Sequence, residues 1–143
     1  MGRLLIFSDD WGRHPSSCQH LTKRKPSGSE VLWVNTIGTR PPRLDLLTIR
    51  RGLEKTKEWF AFGARSVGEP SHNARINNLN VANPAMLPWN GSSWSRHLNR
   101  ILLSKQLCNI LKRKSEEWIG LSTIPISSLV LGSLPVKRWV YYC

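Results

Sequence analysis

Residues 7–21, FSDDWGRHPSSCQHL, hold the densest set of side chains in this chain that could do chemistry. Asp9 and Asp10 could accept hydrogen bonds from hydroxyls, or act as a base where partly desolvated. Gly12 lets backbone approach a ligand closely, and Arg13 and His14 can contact phosphate or sugar oxygens. Ser16, Ser17 and the free N–H groups of a helix starting there would add an anion site. The plainer alternative is a turn carboxylate and a solvated loop histidine, which would account for every polar residue here but not for Trp11.

His14, Cys18 and His20 could be read as metal ligands. Zinc, however, takes four ligands, or three and a water, and no partner pair with finger spacing occurs elsewhere. No metal site is expected. Neither a Walker loop nor a G-x-G-x-x-G motif is present, which disfavours a conventional ATP or NAD domain, and no cofactor is expected.

The elements that would position these residues are short. Apolar runs rich in β-formers occur at 3–7, 30–35, 79–83, 118–123 and 138–143, mostly without alternation, as in strands buried on both faces. Helical patterns lie between them. Residues 16–24 form a short one with Ser16 or Ser17 as N-cap. Residues 44–60 place Leu46, Ile49, Leu53, Thr56 and Phe60 on one face, with Asp45 as cap. Residues 93–113 do the same with Trp94, Leu98, Ile101, Leu102, Cys108 and Leu111. A short helix precedes the last strand. Residues 62–78 and 83–93 read as irregular, and Asn90-Gly91-Ser92 as a turn. This alternation predicts an α/β fold, a single Rossmann-like doubly wound parallel sheet of about five strands in the order 3-2-1-4-5, spanning 1–143 as one domain. Ligands of such sheets bind beyond the carboxyl ends of the strands, where strand order reverses. The stretch after the first strand lies there.

The 143 residues carry 21 Lys and Arg against 9 Asp and Glu, a net charge of +12 that favours anionic partners. The hydrophobic fraction, 40%, is that of a globular chain rather than a disordered one. The three cysteines, Cys18, Cys108 and Cys143, share no close spacing and suggest no disulfide framework. No export signal or span of roughly 20 apolar residues is found, and a cytoplasmic protein is expected. Of the seven tryptophans, Trp33, Trp118 and Trp139 fall in strands as core residues, leaving Trp11 and Trp89 as ligand-platform candidates.

LLIFSDDWGRHPSSCQHL followed by VLWVNTIGTRPPRLDL resembles the amino-terminal domain of bacterial group 1 glycosyltransferases of the two-domain GT-B type, including enzymes of exopolysaccharide and teichuronic acid assembly. The likeness continues through LNVANPAMLPW, LNRILLSKQL and RWVYYC. It implies a polysaccharide-assembly transferase whose present domain binds the acceptor, while a second Rossmann-like domain binds the nucleotide-sugar. Asp10, Trp11, Gly12, Arg13 and His14 match the loop facing the cleft. Thr36, Gly38 and Arg40 match the loop after the second strand, and Thr123 and Pro125 the loop after the fourth. Asp10 and His14 are thereby the expected catalytic residues, and Trp11, Gly12, Arg13, Ser16, Thr36, Gly38, Arg40 and Thr123 the expected acceptor-binding ones.

The implied partners are a sugar or lipid-linked acceptor, a nucleotide-sugar only where a second domain is supplied, and an anionic membrane surface at its inner face, with no specific nucleic acid. The family's donor-binding Glu motif and pyrophosphate clamp have no counterpart here, so the chain is expected to be truncated and inactive alone. The alternative from a different class is a basic α/β protein that binds nucleic acid or an anionic membrane, whose affinity would fall steeply with salt.

Overall fold

A computed structural model describes residues 2–13, 15–26, 28–36, 78–87, 90–112 and 117–142. In chain order these form β1 (Arg3–Ser8), α1 (Ser17–Lys23), β2 (Glu30–Asn35), β3 (Leu79–Ala82), α2 (Ser93–Leu111), β4 (Trp118–Ser122), a 3-10 helix (Pro125–Val130) and β5 (Val136–Tyr141). The strands make one five-stranded sheet in the order β3-β2-β1-β4-β5. Every pairing is parallel, with Ser8 beside Asn35 and Phe7 beside Ser122 at the carboxyl edge. The α/β fold and strand order expected from the alternation are both present. β5 begins earlier than its apolar run, at Val136. The helical pattern at 44–60 and nearly all of the irregular stretch at 62–78 lie outside the described residues.

The unbroken apolar runs arise because both faces of the central strands are covered. On one face Leu5, Phe7, Leu32 and Val34 pack with Ala82, Met86, Trp118 and the α2 residues Leu103, Leu107 and Leu111. On the other, Ile6, Val31 and Trp33 pack with Cys18 of α1, joined by Leu4, Trp11, Leu79, Val81 and Leu121. Trp33 and Trp118 are buried as expected, while Trp139 on the edge strand is half-buried. Ile119 and Val140, on the α1 side of β4 and β5, are 39% and 44% exposed.

The buried stripe of α2 differs from the expected one. Ser95, Asn99, Leu103, Leu107 and Leu111 face inward, whereas Trp94 and Ile101, placed in the core by periodicity, are 64% and 48% exposed. The reason is what the helix covers. Its amino-terminal half packs on the irregular chain that follows β3, whose backbone groups need partners, so polar side chains occupy the inward positions there. Asn99 Oδ1 accepts from the Leu87 N–H at 2.6 Å, and its Nδ2 donates to Leu87 O at 3.2 Å and Asn90 Oδ1 at 2.7 Å. Gln106 does the same for Ala85, accepting from its N–H and donating to its carbonyl, both at 2.9 Å. Ser92 and Ser95 close a capping box at the helix start. Residues 83–87 and 90–92 are thus irregular as expected, but anchored, with Met86 only 1% exposed.

Candidate functional site

Because all five strands run the same way, the segments after β1, β2, β3 and β4 emerge along one edge of the sheet. Asp9 to Arg13 leave β1, Thr36 leaves β2, Asn83 leaves β3, and Thr123 to Pro125 leave β4. The connection from β1 runs toward β2, and β4 lies on the other side of β1, so the strand order reverses between β1 and β4. At that point the Thr123 hydroxyl lies 2.8 Å from the Ser8 hydroxyl, and the Thr123 N–H donates to Phe7 O at 3.0 Å. Thr123 is therefore fixed against the end of β1 rather than carried on a free loop.

The β1–α1 segment is held as firmly. Asp10 O accepts from the Arg13 N–H at 3.3 Å, closing a turn in which Gly12 has φ 79°, a left-handed value that glycine adopts without a Cβ penalty. Gln19 Nε2 of α1 donates to the same carbonyl at 3.4 Å, and Trp33 Nε1 donates to Asp9 O at 3.0 Å. The Trp11 N–H donates to Asn35 Oδ1 at 2.9 Å, and Asn35 Nδ2 in turn donates to Asn83 Oδ1 at 2.8 Å. A chain of hydrogen bonds thus links the ends of β3, β2 and β1.

Trp11 has a structural explanation. Its ring meets Trp33 edge-on, with centroids 4.6 Å apart, and it joins the α1-side core. Asp10 faces Arg13, Oδ2 to Nη1 3.3 Å, in an exposed ion pair. Ser16 is the N-cap of α1, its hydroxyl accepting from the Gln19 N–H at 3.3 Å, so that oxygen is committed to the helix. Of the expected site residues, Asp10, Trp11, Gly12, Arg13, Ser16, Thr36 and Thr123 share the carboxyl edge of the sheet, while His14, Gly38 and Arg40 lie outside the described residues. Trp89 lies outside them as well.

Three residues at this edge are not among the expected ones: Ser8, Asn35 and Asn83. A signal for two of them is present in the sequence, because VLWVN and NVAN both end in Asn where neighbouring strands reach the same edge. An amide there can bond two backbones or side chains at once, as Asn35 does.

Beneath this edge Cys18 is 2% exposed. Burial raises its thiol above the ordinary 9.0; a hydrogen bond with Ser8 opposes the rise, the Asp9 carboxylate adds to it, and a bond with Thr22 opposes it again. It is a neutral structural thiol rather than a nucleophile. Cys18 and Cys108 are both free. Among the described residues no group of three His, Cys, Asp or Glu side chains could hold a metal ion, and no helix is long and apolar enough to cross a membrane. No family model matches the chain, nor does any curated protein or solved structure.

Proposed function

We propose that this domain is the acceptor-binding half of a glycosyltransferase of the GT-B type, moving a sugar from a nucleotide-sugar to a hydroxyl acceptor in cell-surface polysaccharide assembly. The observation that carries this reading is the carboxyl edge at the strand-order reversal. There two anchored segments, bearing Asp10, Trp11 and Arg13 on one side and Thr123 on the other, flank the end of β1, with the Asn35 and Asn83 amides alongside. Hydroxyls, amides and a carboxylate suit the alternating donors and acceptors of a sugar better than they suit a polyanion. The sequence resemblance at 4–47 adds a transferase to that chemistry.

In this reading one of Asp10 and His14 takes the proton of the acceptor hydroxyl as its oxygen attacks the sugar carbon and the nucleoside diphosphate leaves. Acceptor binding is assigned to Trp11, Gly12, Arg13, Ser16, Thr36, Gly38, Arg40 and Thr123. Stabilising the departing diphosphate and excluding water need a second wall, which a separate donor-binding domain would provide. Residues 1–143 alone are therefore expected to give no turnover and no calorimetric binding of UDP- or GDP-sugars.

The test is ligand-observed NMR of the 143-residue chain with a panel of simple glycosides. Weak saturation transfer that is lost in Thr123→Val and Asp10→Ala, with the fold retained, is expected. Absence of transfer from every glycoside would sink the acceptor reading. Donor-dependent glycosyl transfer by these residues alone, abolished in Asp10→Ala and His14→Ala controls, would overturn the need for a second wall.

A further inference from the structure

β5 closes one side of the sheet, and among the described residues no strand lies beyond it. The Tyr142 N–H donates to Ser122 O on β4 at 2.8 Å. In an alternating strand Val140 and Arg138 turn the same way, and the N–H and carbonyl groups of Trp139 and Tyr141 point away from the sheet. Such an edge is a template for another strand. Its protection lies only at its start, where the register with β4 shifts between Val136 and Arg138 and where Lys137, paired with Glu117 at 2.6 Å, and Arg138 carry charge. From Trp139 to Tyr142 the strand carries only apolar and aromatic side chains. Tyr141 is 58% and Tyr142 44% exposed, and Ile119 and Val140 are exposed on the same face as Tyr142.

We infer that this edge is the interface of a homodimer, in which β5 of one protomer pairs antiparallel with β5 of its partner about a two-fold axis at Val140. The strand selects a second copy because in that register it complements itself. Trp139 lies opposite the partner's Tyr141 and exchanges both backbone hydrogen bonds with it, using the groups that point outward. Val140 meets the partner's Val140, and Arg138 meets the partner's Tyr142, whose ring the guanidinium can cover. No cation faces a cation: the two Arg138 side chains are about 13 Å apart, four residues along the strand, beyond the screening length at physiological salt. The neighbouring register, with Trp139 opposite its own copy, would need the backbone of Lys137, where the ladder is irregular, to pair with Tyr141. The net charge of +12 on each protomer opposes their approach, so screening by salt strengthens the dimer, whereas a foreign acidic strand on this edge would be bound less tightly as salt rises. The carboxyl edge of the sheet is not used, and the inference does not depend on the acceptor reading.

Sedimentation velocity of the full 143-residue chain, over a hundred-fold range of concentration at low and high salt, tests it. A reversible monomer–dimer equilibrium that tightens with salt is expected. Val140→Lys sets two cations face to face at the axis and removes an apolar contact, and should weaken association at least ten-fold. Tyr141→Pro removes an N–H that points outward rather than one that β4 uses, and should weaken it by a similar factor. Cross-linking then fixes the register in a Cys143→Ser background. Val140→Cys should yield a disulfide-linked dimer in a glutathione redox buffer, because residues opposed in a non-hydrogen-bonded pair have Cα atoms about 4.5 Å apart. Tyr142→Cys, about 13 Å from its own copy, should not, and the Cys143→Ser chain gives the background. Far-UV circular dichroism checks each fold; should Tyr141→Pro unfold, Val140→Lys and the cross-links decide the matter alone. A chain monomeric under every condition overturns the inference, as does association that weakens with salt or grows beyond a dimer. So do a Val140→Lys chain that dimerises like wild type, or equal cross-linking from positions 140 and 142.

Discussion

The Trp139 ring on the edge strand β5 reaches Phe7 on the central strand β1, centroids 5.8 Å apart, by crossing the intervening strand β4 at Gly120. A Cβ built on Gly120 would stand 2.6 Å from Cδ2 and 2.7 Å from Cζ3 of that indole, well inside contact distance. The glycine is therefore the passage through which an edge residue joins the core, and it ties β5 to the sheet by side-chain packing as well as by the backbone ladder.

Gly120→Ala is expected to destabilise the fold by about 2 kcal/mol, the usual scale for overpacking, and to lower Tm by roughly 6–10 °C. The clash has one principal partner. Combining Gly120→Ala with Trp139→Ala should cost clearly less than the sum of the two single changes, as read from urea unfolding midpoints of the four proteins. Additive losses would mean that the ring does not lie over Gly120.

The Asn35 amide, bridging the Trp11 N–H and Asn83, should matter as much to the β1–α1 segment as any residue within it. Asn35→Ala leaves the partly buried Trp11 N–H without its acceptor, at a cost of about 1 kcal/mol, while the exposed Asn83 oxygen turns to water. It should also speed tryptic cleavage after Arg13 several-fold. Asn35→Asp keeps the acceptor for Trp11, and Asn83 can rotate its amide to donate instead, so that variant should cleave near the wild-type rate. Mass spectrometry of timed digests distinguishes the two.

How far the chain could be read in advance follows from what each residue type reports. The parallel sheet was legible because unbroken apolar runs such as RLLIF and EVLWV are what strands covered on both faces require, and Leu5, Phe7, Val31 and Trp33 are each fully buried. The face of α2 was not, because periodicity counts apolar residues, and Ser95 and Asn99 are buried for their hydrogen bonds. Gly120 carries no signal of its role, since nothing in WIGLST reveals an indole arriving from another strand. Trp11 stood out correctly as unnecessary for a solvated loop, yet only the fold shows Trp33 as its neighbour. Asn35 and Asn83 are legible only as a pair, once strand order brings their ends together.

Asn99 gives the sharpest test of the polar stripe. It is fully buried and serves Leu87 and Asn90 together, so Asn99→Leu, which apolar periodicity alone would favour, should instead cost about 2–3 kcal/mol by leaving the partly buried Leu87 N–H and carbonyl unpaired. Asn99→Asp keeps the acceptor for the Leu87 N–H but loses the donor, and should fall between. The order wild type, Asp, Leu in urea midpoint is expected. A Leu variant as stable as wild type would show that Leu87 and Asn90 are not held by this residue.

The buried Cys18 thiol makes stability depend on alkaline pH with a defined sign. Burial raises its folded value above 9.0. Below that value the thiol keeps its proton in folded and unfolded chains alike and contributes no slope. Above it the unfolded chain releases the proton while the folded chain still holds it, so the unfolded state binds fewer protons and stability falls with rising pH until the folded value is passed. The slope from this group cannot exceed about 1.4 kcal/mol per pH unit. The measurement is a difference, so that every other group cancels. Urea midpoints of wild type and Cys18→Ala are compared at pH 7, 8, 9 and 10. The variant should be less stable by a constant amount at pH 7 and 8 because of the cavity, and the gap should narrow at pH 10, where only wild type loses stability through the thiol. Over the same range Cys18 should react with a disulfide reagent far more slowly than the half-buried Cys108. A gap that stays constant from pH 7 to 10, or a Cys18 that reacts as fast as Cys108 at pH 8, would show that the thiol is not buried beneath the β1–α1 segment.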